Sequence, residues 1–256
     1  MDRNQVMTDP KKLVKTELMN QGIDIDKVKI PQRVYLLADS LYDEMLSRNV
    51  GEYKYPLGGK LFVFKDNDNI GFIKSKMCSP GIAIQAEDLA AGGVKELVHL
   101  GFAGGIGSDI KVGQVILTEG AFNDTAVARL YGYDEKIIYS DKTLSQEIKN
   151  LFADNELDFL QGLHWTTDAG YHETWGDILD HREKNALCVE MEGVGLFTIA
   201  KYRNIKATAV YVISDVFNDE GWSLGWSESK ISFGVSELIT AIIESIQFTN
   251  EDNCKI

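Results

Sequence analysis

The segment Cys188-Val189-Glu190-Met191-Glu192-Gly193, followed by Ser214-Asp215, constrains this chain more than any other feature. It reads as a buried strand that ends in two carboxylates around a methionine. A helix expected from Gly193 to Arg203 leads into a second apolar strand, Ala207 to Ile213, which ends in a third carboxylate. In an open α/β sheet, ligands bind beyond the C-terminal ends of the strands. Three acids and one thioether therefore converge on a single crevice. That set suits a ligand with vicinal hydroxyls and a leaving group that must be protonated.

The rest of the chain repeats the alternation of strand and helix. Arg33 to Ala38 reads as the first strand and Ser40 to Arg48 as the helix after it. Lys60 to Lys65 and Ile70 to Lys76 form a hairpin pattern across Asp66-Asn67-Asp68-Asn69. Ser79-Pro80-Gly81 opens a helix that runs to Ala91 and closes on Gly92-Gly93. Glu96 to Leu100 is a buried strand that runs into a glycine-rich turn, Gly101-Phe102-Ala103-Gly104-Gly105. Gln114 to Thr118 and Phe159 to Thr166 read as strands, and Thr143 to Asp154 as a helix. From Ser227 to Gln247, Ile231, Val235, Leu238, Ile239, Ile242 and Ile246 share one helical face. The expected fold is α/β, a three-layer sandwich with a central mixed β-sheet. Its catalytic domain spans 30–248, between an N-terminal extension (1–29) and a polar tail (249–256).

Bulk properties exclude several classes. The 256 residues suit one large domain, and 44% hydrophobic residues supply a core without disulfides. A net charge of −13 with no basic run argues against nucleic acid as a partner. Three cysteines, Cys78, Cys188 and Cys254, make no disulfide framework and fit a reducing cytoplasm. Cys78 and Cys188 sit in apolar runs and read as inert core residues, while Cys254 lies in the polar tail. There is no signal-peptide pattern and no apolar run near ~18 residues, so neither secretion nor a membrane span is expected. His164, His172 and His181 lack metal-ligand spacing, and no metal or cofactor is expected.

The order Ser79-Pro80-Gly81, Gly101-Phe102-Ala103-Gly104-Gly105, Glu190-Met191-Glu192 and Ser214-Asp215 resembles the nucleoside phosphorylase/nucleosidase superfamily. The resemblance covers residues 31 to 246. Its most specific parts are Val189 to Phe197 and Ser214-Asp215 at the matching distance. Thr166-Thr167-Asp168-Ala169-Gly170-Tyr171 looks like the base-site segment of that family. The resemblance implies cleavage of the N-glycosidic bond of a nucleoside. It also implies a homo-oligomer, whether dimer, trimer or hexamer, and a crevice lined by Phe102, Ala103, Gly104, Asp168, Tyr171, Ser214 and the Glu190-Met191-Glu192 stretch.

The residue chemistry supports these roles independently. Glu192 suits the ribose 2′- and 3′-hydroxyls, because a carboxylate accepts two strong hydrogen bonds at once. Met191 packs on the sugar, where a thioether adapts to an irregular shape. A bland alternative makes Met191 core filling and Glu192 a helix N-terminal charge. Glu190 joins them as a candidate contact, although strand alternation sends it to the opposite face from Met191. Asp215 is the candidate general acid, protonating purine N7 so that the base leaves. The bland alternative is a strand-end cap. Uridine phosphorylases read uracil with a Gln/Arg pair near the base-site segment, and Tyr171-His172-Glu173-Thr174-Trp175 lacks one. A purine-like base is therefore favoured. Tyr171, Trp175 and Trp165 are candidates for stacking on it. Gly170 stands where purine phosphorylases of the family carry an aromatic.

The acceptor side departs from the phosphorylase pattern. The family holds phosphate with a Gly-Asp-Pro-x-Arg loop after the first strand, and with an Arg and a Ser/Thr around the glycine-rich turn. Here Ala38-Asp39-Ser40-Leu41 follows the first strand, His99 stands at the Arg position and Phe102 at the Ser/Thr position. Neutral histidine does not replace a permanent bidentate charge. Asp39, or Glu44 further along, is the candidate base that activates a water, although Asp39 or Ser40 equally caps the helix. His99 keeps phosphate open as the acceptor, and Arg33, Arg48 and Arg129 are further cations to consider. Hydrolysis is slightly favoured over phosphorolysis, with a non-catalytic nucleoside-binding protein as a third reading.

Overall fold

The computed structural model describes residues 5–218, 220–225 and 229–253, with side chains as far as 247. The expected helix start at Ser227 and the tail residue Cys254 lie outside the described residues. The strands are β1 (Arg33–Leu37), β2 (Gly51–Tyr55), β3 (Leu61–Phe64), β4 (Ile70–Lys74), β5 (Glu96–Gly105), β6 (Val115–Asp124), β7 (Ile137–Tyr139), β8 (Leu160–Thr167), β9 (Ala186–Glu190), β10 (Lys206–Asn218) and β11 (Gly221–Leu224). The helices are α1 (Pro10–Asn20), α2 (Asp39–Ser47), α3 (Cys78–Gly92), α4 (Ala126–Leu130), α5 (Lys142–Asp154), α6 (Trp175–Glu183), α7 (Gly193–Arg203) and α8 (Ser229–Asn253).

The strands form one mixed sheet in the order β11-β10-β6-β8-β9-β5-β1-β4-β3-β2, with β7 on β6. Part of it closes on itself. β10 also pairs with β5 in parallel, so β5, β10, β6, β8 and β9 make a ring of five strands. Closure follows from the length of β10, whose middle pairs with β5 on one side and β6 on the other.

Strand alternation sorts the core into two layers. Val34, Leu36, Leu97, Ala209, Tyr211 and Ile213 join a cluster with residues of α1, α3 and α7. Tyr35, Leu37, Val98, Leu100, Val210 and Val212 join another with residues of α2, α5 and α8. These helices cover the two faces, as a three-layer sandwich requires. The extension is not detached, because Val14 and Leu18 of α1 are buried in the first cluster. At the other end α8 continues to Asn253, so 249–253 extends a helix and does not begin a separate tail. None of the described helices is long and apolar enough to cross a membrane.

The strand expected at Gln114 to Thr118 runs on to Asp124, and two other shifted boundaries matter for the site. Gly101 to Gly105 is not a turn but the second half of β5. β10 likewise runs past Ser214-Asp215 to Asn218, where β11 pairs with it in a hairpin.

Candidate active site

Gly104 of β5 pairs with Val189 of β9 on one side and with Asp215 of β10 on the other. That register brings the end of the β9 acid run and the β10 acid to the same place. Gly104 leaves room for both acid and ring there: a Cβ would lie 3.0 Å from Asp215 Oδ2 and 3.2 Å from the Phe217 ring, and one of them would have to shift. A β-bulge between Ile213 and Asp215 turns the acid out at this point.

Glu190 is a buried hub and not a wall of the crevice. It accepts hydrogen bonds from Thr166 Oγ1, from Tyr211 Oη at 2.9 Å, and from the backbone N–H groups of Glu192 (2.7 Å) and Gly193 (2.8 Å). His164 Nε2 stands 3.1 Å away, with its other ring nitrogen against Thr118. Burial alone would raise this carboxyl, but His164, Thr166 and the Glu192 N–H outweigh it and hold it down at about 2. The expected substrate contact from Glu190 is therefore corrected: its oxygens satisfy the first donors of α7, and Thr166 takes the N–H of Val194. Gly193 permits this close approach, since a Cβ there would meet His164 Nε2 at 2.4 Å.

The capping task considered for Glu192 thus belongs to Glu190, and Glu192 makes no side-chain cap of α7. Glu192 Oε1 instead accepts the backbone N–H of Cys78 at 2.6 Å. Burial, and then the charge of Glu190, push the Glu192 carboxyl up to about 7. Cys78 is not a core residue. It is partly exposed, starts α3 in a left-handed backbone conformation (φ 66°), and its thiol is pushed up by burial and by Glu192 and Asp168. Cys188 is fully buried, as expected. Ser79 Oγ donates to the carbonyl of Met191 and fixes the loop.

Both oxygens of Asp215 are engaged. Ser214 Oγ donates to Oδ1 and Trp222 Nε1 to Oδ2, each at 2.6 Å. Ser214 is buried and also reaches the Ala103 carbonyl at 3.4 Å, so it serves Asp215, not a ligand. The Ala103 side chain likewise lies in the core and offers a ligand only its backbone. Trp222 stacks on Phe217 with centroids 6.4 Å apart. Arg182 of α6 donates to the carbonyls of Ile106 (2.7 Å) and Phe217 (3.0 Å), tying the ends of β5 and β10 together.

The segment after β8 crosses this crevice. Asp168 Oδ2 accepts the N–H of Ala126 at 3.0 Å and anchors α4. Gly170 lies under Met191, whose Sδ would be 3.0 Å from a Cβ at that position. The thioether therefore occupies the space that an aromatic at 170 would need. Glu173 is half-buried; burial and then Asp215 raise its carboxyl to about 7. The stacking candidates divide. Trp165 is core, stacked on His181 at 4.4 Å, whereas Tyr171 and Trp175 are exposed.

Sequence reasoning missed Thr166, His164 and Tyr211 as partners of Glu190, and also Trp222, Glu173 and Arg182. The one available signal was the aromatic content of Phe217 and Trp222 just beyond Asp215.

A sequence model described as the phosphorylase superfamily matches residues 28–244. The chain belongs to that superfamily. The resemblance drawn from the motifs is met, and with it the reading of the protein as an enzyme of the nucleosidase or nucleoside phosphorylase kind. A guanosine phosphorylase of Halorubrum lacusprofundi is 25% identical over 200 residues, covering 77% of this chain and 80% of its own. A DeoD-type purine nucleoside phosphorylase of Exiguobacterium sibiricum is 27% identical over 188 residues, with 72% and 78% covered. Purine nucleoside phosphorylase from Toxoplasma gondii shares the fold with a TM-score of 0.73 at 15% identity, over 90% of this chain and 95% of that one. Uridine phosphorylase from Vibrio fischeri gives 0.71 at 16% identity, over 88% and 93%.

Against this superfamily frame, the acceptor side is plain. His99 is buried, faces Tyr211, and leaves Nδ1 without a partner. Burial lowers it to about 4, so it is neutral and offers an anion no charge. Its role as a phosphate-site residue is corrected. Phe102 packs toward the α2 and α8 layer. Asp39 is exposed and ion-paired with Lys74 at 2.6 Å, and Glu44 with Arg48 at 2.7 Å. Neither is the free, desolvated carboxylate that a water-activating base needs. Neither Asp39 nor Ser40 caps α2; Ala38 holds the cap position without a side-chain bond. Arg33 is spent on Glu96 and Glu147, and Arg48 also reaches Ser236. Arg129 is exposed on α4.

Proposed function

We propose that the protein cleaves the N-glycosidic bond of a purine nucleoside, with phosphate as the favoured acceptor. Glu192 accepts the ribose hydroxyls, Met191 packs on the sugar above Gly170, and proton donation to the base comes from the Asp215 end of the crevice. The observation that carries this reading is the register at Gly104 of β5, which places Val189 at the end of β9 on one side and Asp215 of β10 on the other. Release of Glu192 from helix capping supports its role as a sugar ligand.

Two observations favour phosphate. Curated relatives are named as phosphorylases of guanosine and of purine nucleosides. The two carboxylates considered for activating water are held by Lys74 and Arg48. Hydrolysis remains the second reading, because no arginine occupies Ala38 to Leu41, position 99 or position 102. A homo-oligomer in which a neighbouring copy supplies the missing cation accords with the first reading. The deciding experiment follows purine release from inosine, guanosine and adenosine with and without phosphate. Phosphate-dependent release with ribose 1-phosphate as product is expected. Equal release of free ribose without phosphate establishes the second reading, and no release from any nucleoside refutes both.

A further inference from the structure

We infer that Trp222, on the short strand β11, is a positioning residue for Asp215: its indole N–H fixes the carboxyl that serves the departing base. The inference rests on the function proposed above, in which the proton for the base comes from the Asp215 end of the crevice.

The geometry begins in the β10–β11 hairpin. Asp215 stands opposite Leu224, and Phe217 opposite Trp222. Side chains two residues apart share a face of the ladder, so Trp222 is the diagonal neighbour of Asp215, a separation that a long aromatic side chain spans. The indole stacks on the Phe217 ring with 16° between their planes, and its Nε1 donates to Asp215 Oδ2 at 2.6 Å. Gly104 leaves room for that same oxygen and that same ring. The hairpin itself is tied down. Gly221, at φ 119°, lets the chain turn back, and the Gly225 N–H donates to the Ser214 carbonyl at 3.0 Å. Arg182 holds the Phe217 carbonyl.

Core packing does not account for this placement. Trp222 is 55% exposed, and β11 is largely exposed along its length. Water could satisfy an indole N–H at that exposure, yet this one is aimed at a carboxyl oxygen. The two donors to Asp215 differ in kind. Ser214 is its neighbour in sequence, is buried, and holds Oδ1. Trp222 comes from another strand and holds Oδ2. Donors on both oxygens fix the rotation of the carboxyl about its Cβ–Cγ bond, whereas with Ser214 alone it can pivot about a single contact. An indole N–H only donates, and it can donate to a carboxylate or to the carbonyl oxygen of a carboxylic acid. The contact therefore serves Asp215 in either charge state, and Trp222 neither gives nor takes the proton. Misplacing a reacting group by about 1 Å costs on the order of 100-fold in rate.

The test compares Trp222→Phe, which keeps an aromatic ring and removes the N–H, with Trp222→His, whose Nε2 takes the equivalent place on a five-membered ring. Wild type and both variants are assayed at pH 8 with phosphate, on inosine and on 7-methylguanosine, whose base is already cationic and leaves without a proton. We expect W222F to lower kcat for inosine about 30- to 100-fold, with its KM and the 7-methylguanosine kcat within about threefold of wild type. W222H should return the inosine kcat to within about tenfold of wild type. A fall of both rates together, with a lowered melting temperature, makes Trp222 a purely structural residue and overturns the inference. So does an unchanged inosine kcat in W222F, or a KM raised for both nucleosides at constant kcat, which marks a stacking surface for the base. A W222H no more active than W222F shows that the N–H is not what matters, and overturns it as well. If wild type releases base from neither nucleoside, the proposed function has failed and this role falls with it. If wild type is active and the ratio of the two rates does not move in W222F, only the role of Trp222 is lost.

Discussion

Nucleoside binding should weaken as pH falls through 7, because Glu192 must be ionised to accept two ribose hydroxyls. The perturbation is pH itself, with Glu192→Gln as the control. Burial and the charge of Glu190 raise the Glu192 carboxyl from 4.5 to about 7. A ligand that binds only the ionised form loses about tenfold in affinity for each pH unit below that value, or about 1.4 kcal/mol per unit. Affinity at pH 6 should therefore be roughly a tenth of its limiting value at high pH, and at pH 5 about a hundredth. The assay is equilibrium binding of a non-cleavable nucleoside analogue whose base does not titrate in this window. Binding is the right readout, because proton donation to the departing base enters turnover with the opposite sign. E192Q should bind weakly and without pH dependence. A 2′-deoxy analogue loses one charge-assisted bond and should bind about 10- to 100-fold more weakly at pH 8. An affinity that is flat from pH 8 to 5.5, or an E192Q profile that keeps the slope, refutes the reasoning.

The same shift has a stability consequence of definite sign. A carboxyl raised in the folded state contributes stability below its unfolded value, and that contribution is lost as pH rises through about 7. E192Q should therefore be more stable than wild type at pH 8, by at most about 3 kcal/mol after allowing for solvent screening. Thermal melts at pH 5 and pH 8 measure the difference. A gain of equal size at both pH values is inconsistent with this cause.

Two further outcomes follow from the buried supports. Glu190→Gln breaks the hub that caps α7 and faces His164, and should cost about 3–5 kcal/mol. Denaturant unfolding at pH 7 tests it; a loss below 1 kcal/mol contradicts the network. Because Glu190 is held down at about 2, its contribution stands at neutral pH and is lost only as pH falls toward that value. Arg182→Ala frees the carbonyls of Ile106 and Phe217, so it should lower kcat more than stability, with roughly a 10-fold loss expected from a shifted Phe217–Trp222 pair. Wild-type kcat in a folded R182A would exclude a positioning role.

The crossover from β9 through α7 to β10 was legible because its apolar runs and terminal acids are contiguous in sequence. Strand alternation even warned that Glu190 faces away from Met191. What makes that acid a hub was not legible. Thr166 and His164 come from β8 and Tyr211 from the middle of β10, and no local pattern marks them as one cluster. The glycines of β5 misled for a physical reason. Gly-rich sequence signals a turn, yet here β9 and β10 supply the ladder on both sides, and missing side chains make room for Asp215 and Phe217. Trp222 escaped notice because β11 is four residues long and gains its order from pairing with β10. Glu173 lies in a polar loop, where a carboxyl looks solvated, yet the fold half-buries it.

The proposed acceptor half of the site differs in kind from the proposed sugar and base half. Glu190 pins the latter from within, whereas the former rests on an exposed ion pair. The Lys74 and Asp39 side chains are 55% and 73% exposed, and such a pair contributes about 1 kcal/mol or less. A phosphate dianion arriving at the C-terminal ends of β1 and β4 can therefore take Lys74 from Asp39 at little cost. The N-terminus of α2 lies at the same point without a side-chain cap, which favours an anion there. Asp39 opposes it most directly, with Asp43 as a further acid acting on Lys74, and repulsion between unit charges 4 Å apart amounts to about 1 to 4 kcal/mol, depending on solvent exposure. Asp39→Asn accordingly separates the two acceptors. If phosphate is the nucleophile, the variant should lower the phosphate KM about fivefold or more and leave kcat within a few-fold of wild type. If Asp39 activates water, the same change should remove base release in the absence of phosphate. A phosphate KM that rises in D39N would show that Asp39 holds Lys74 in place for the anion and does not repel it.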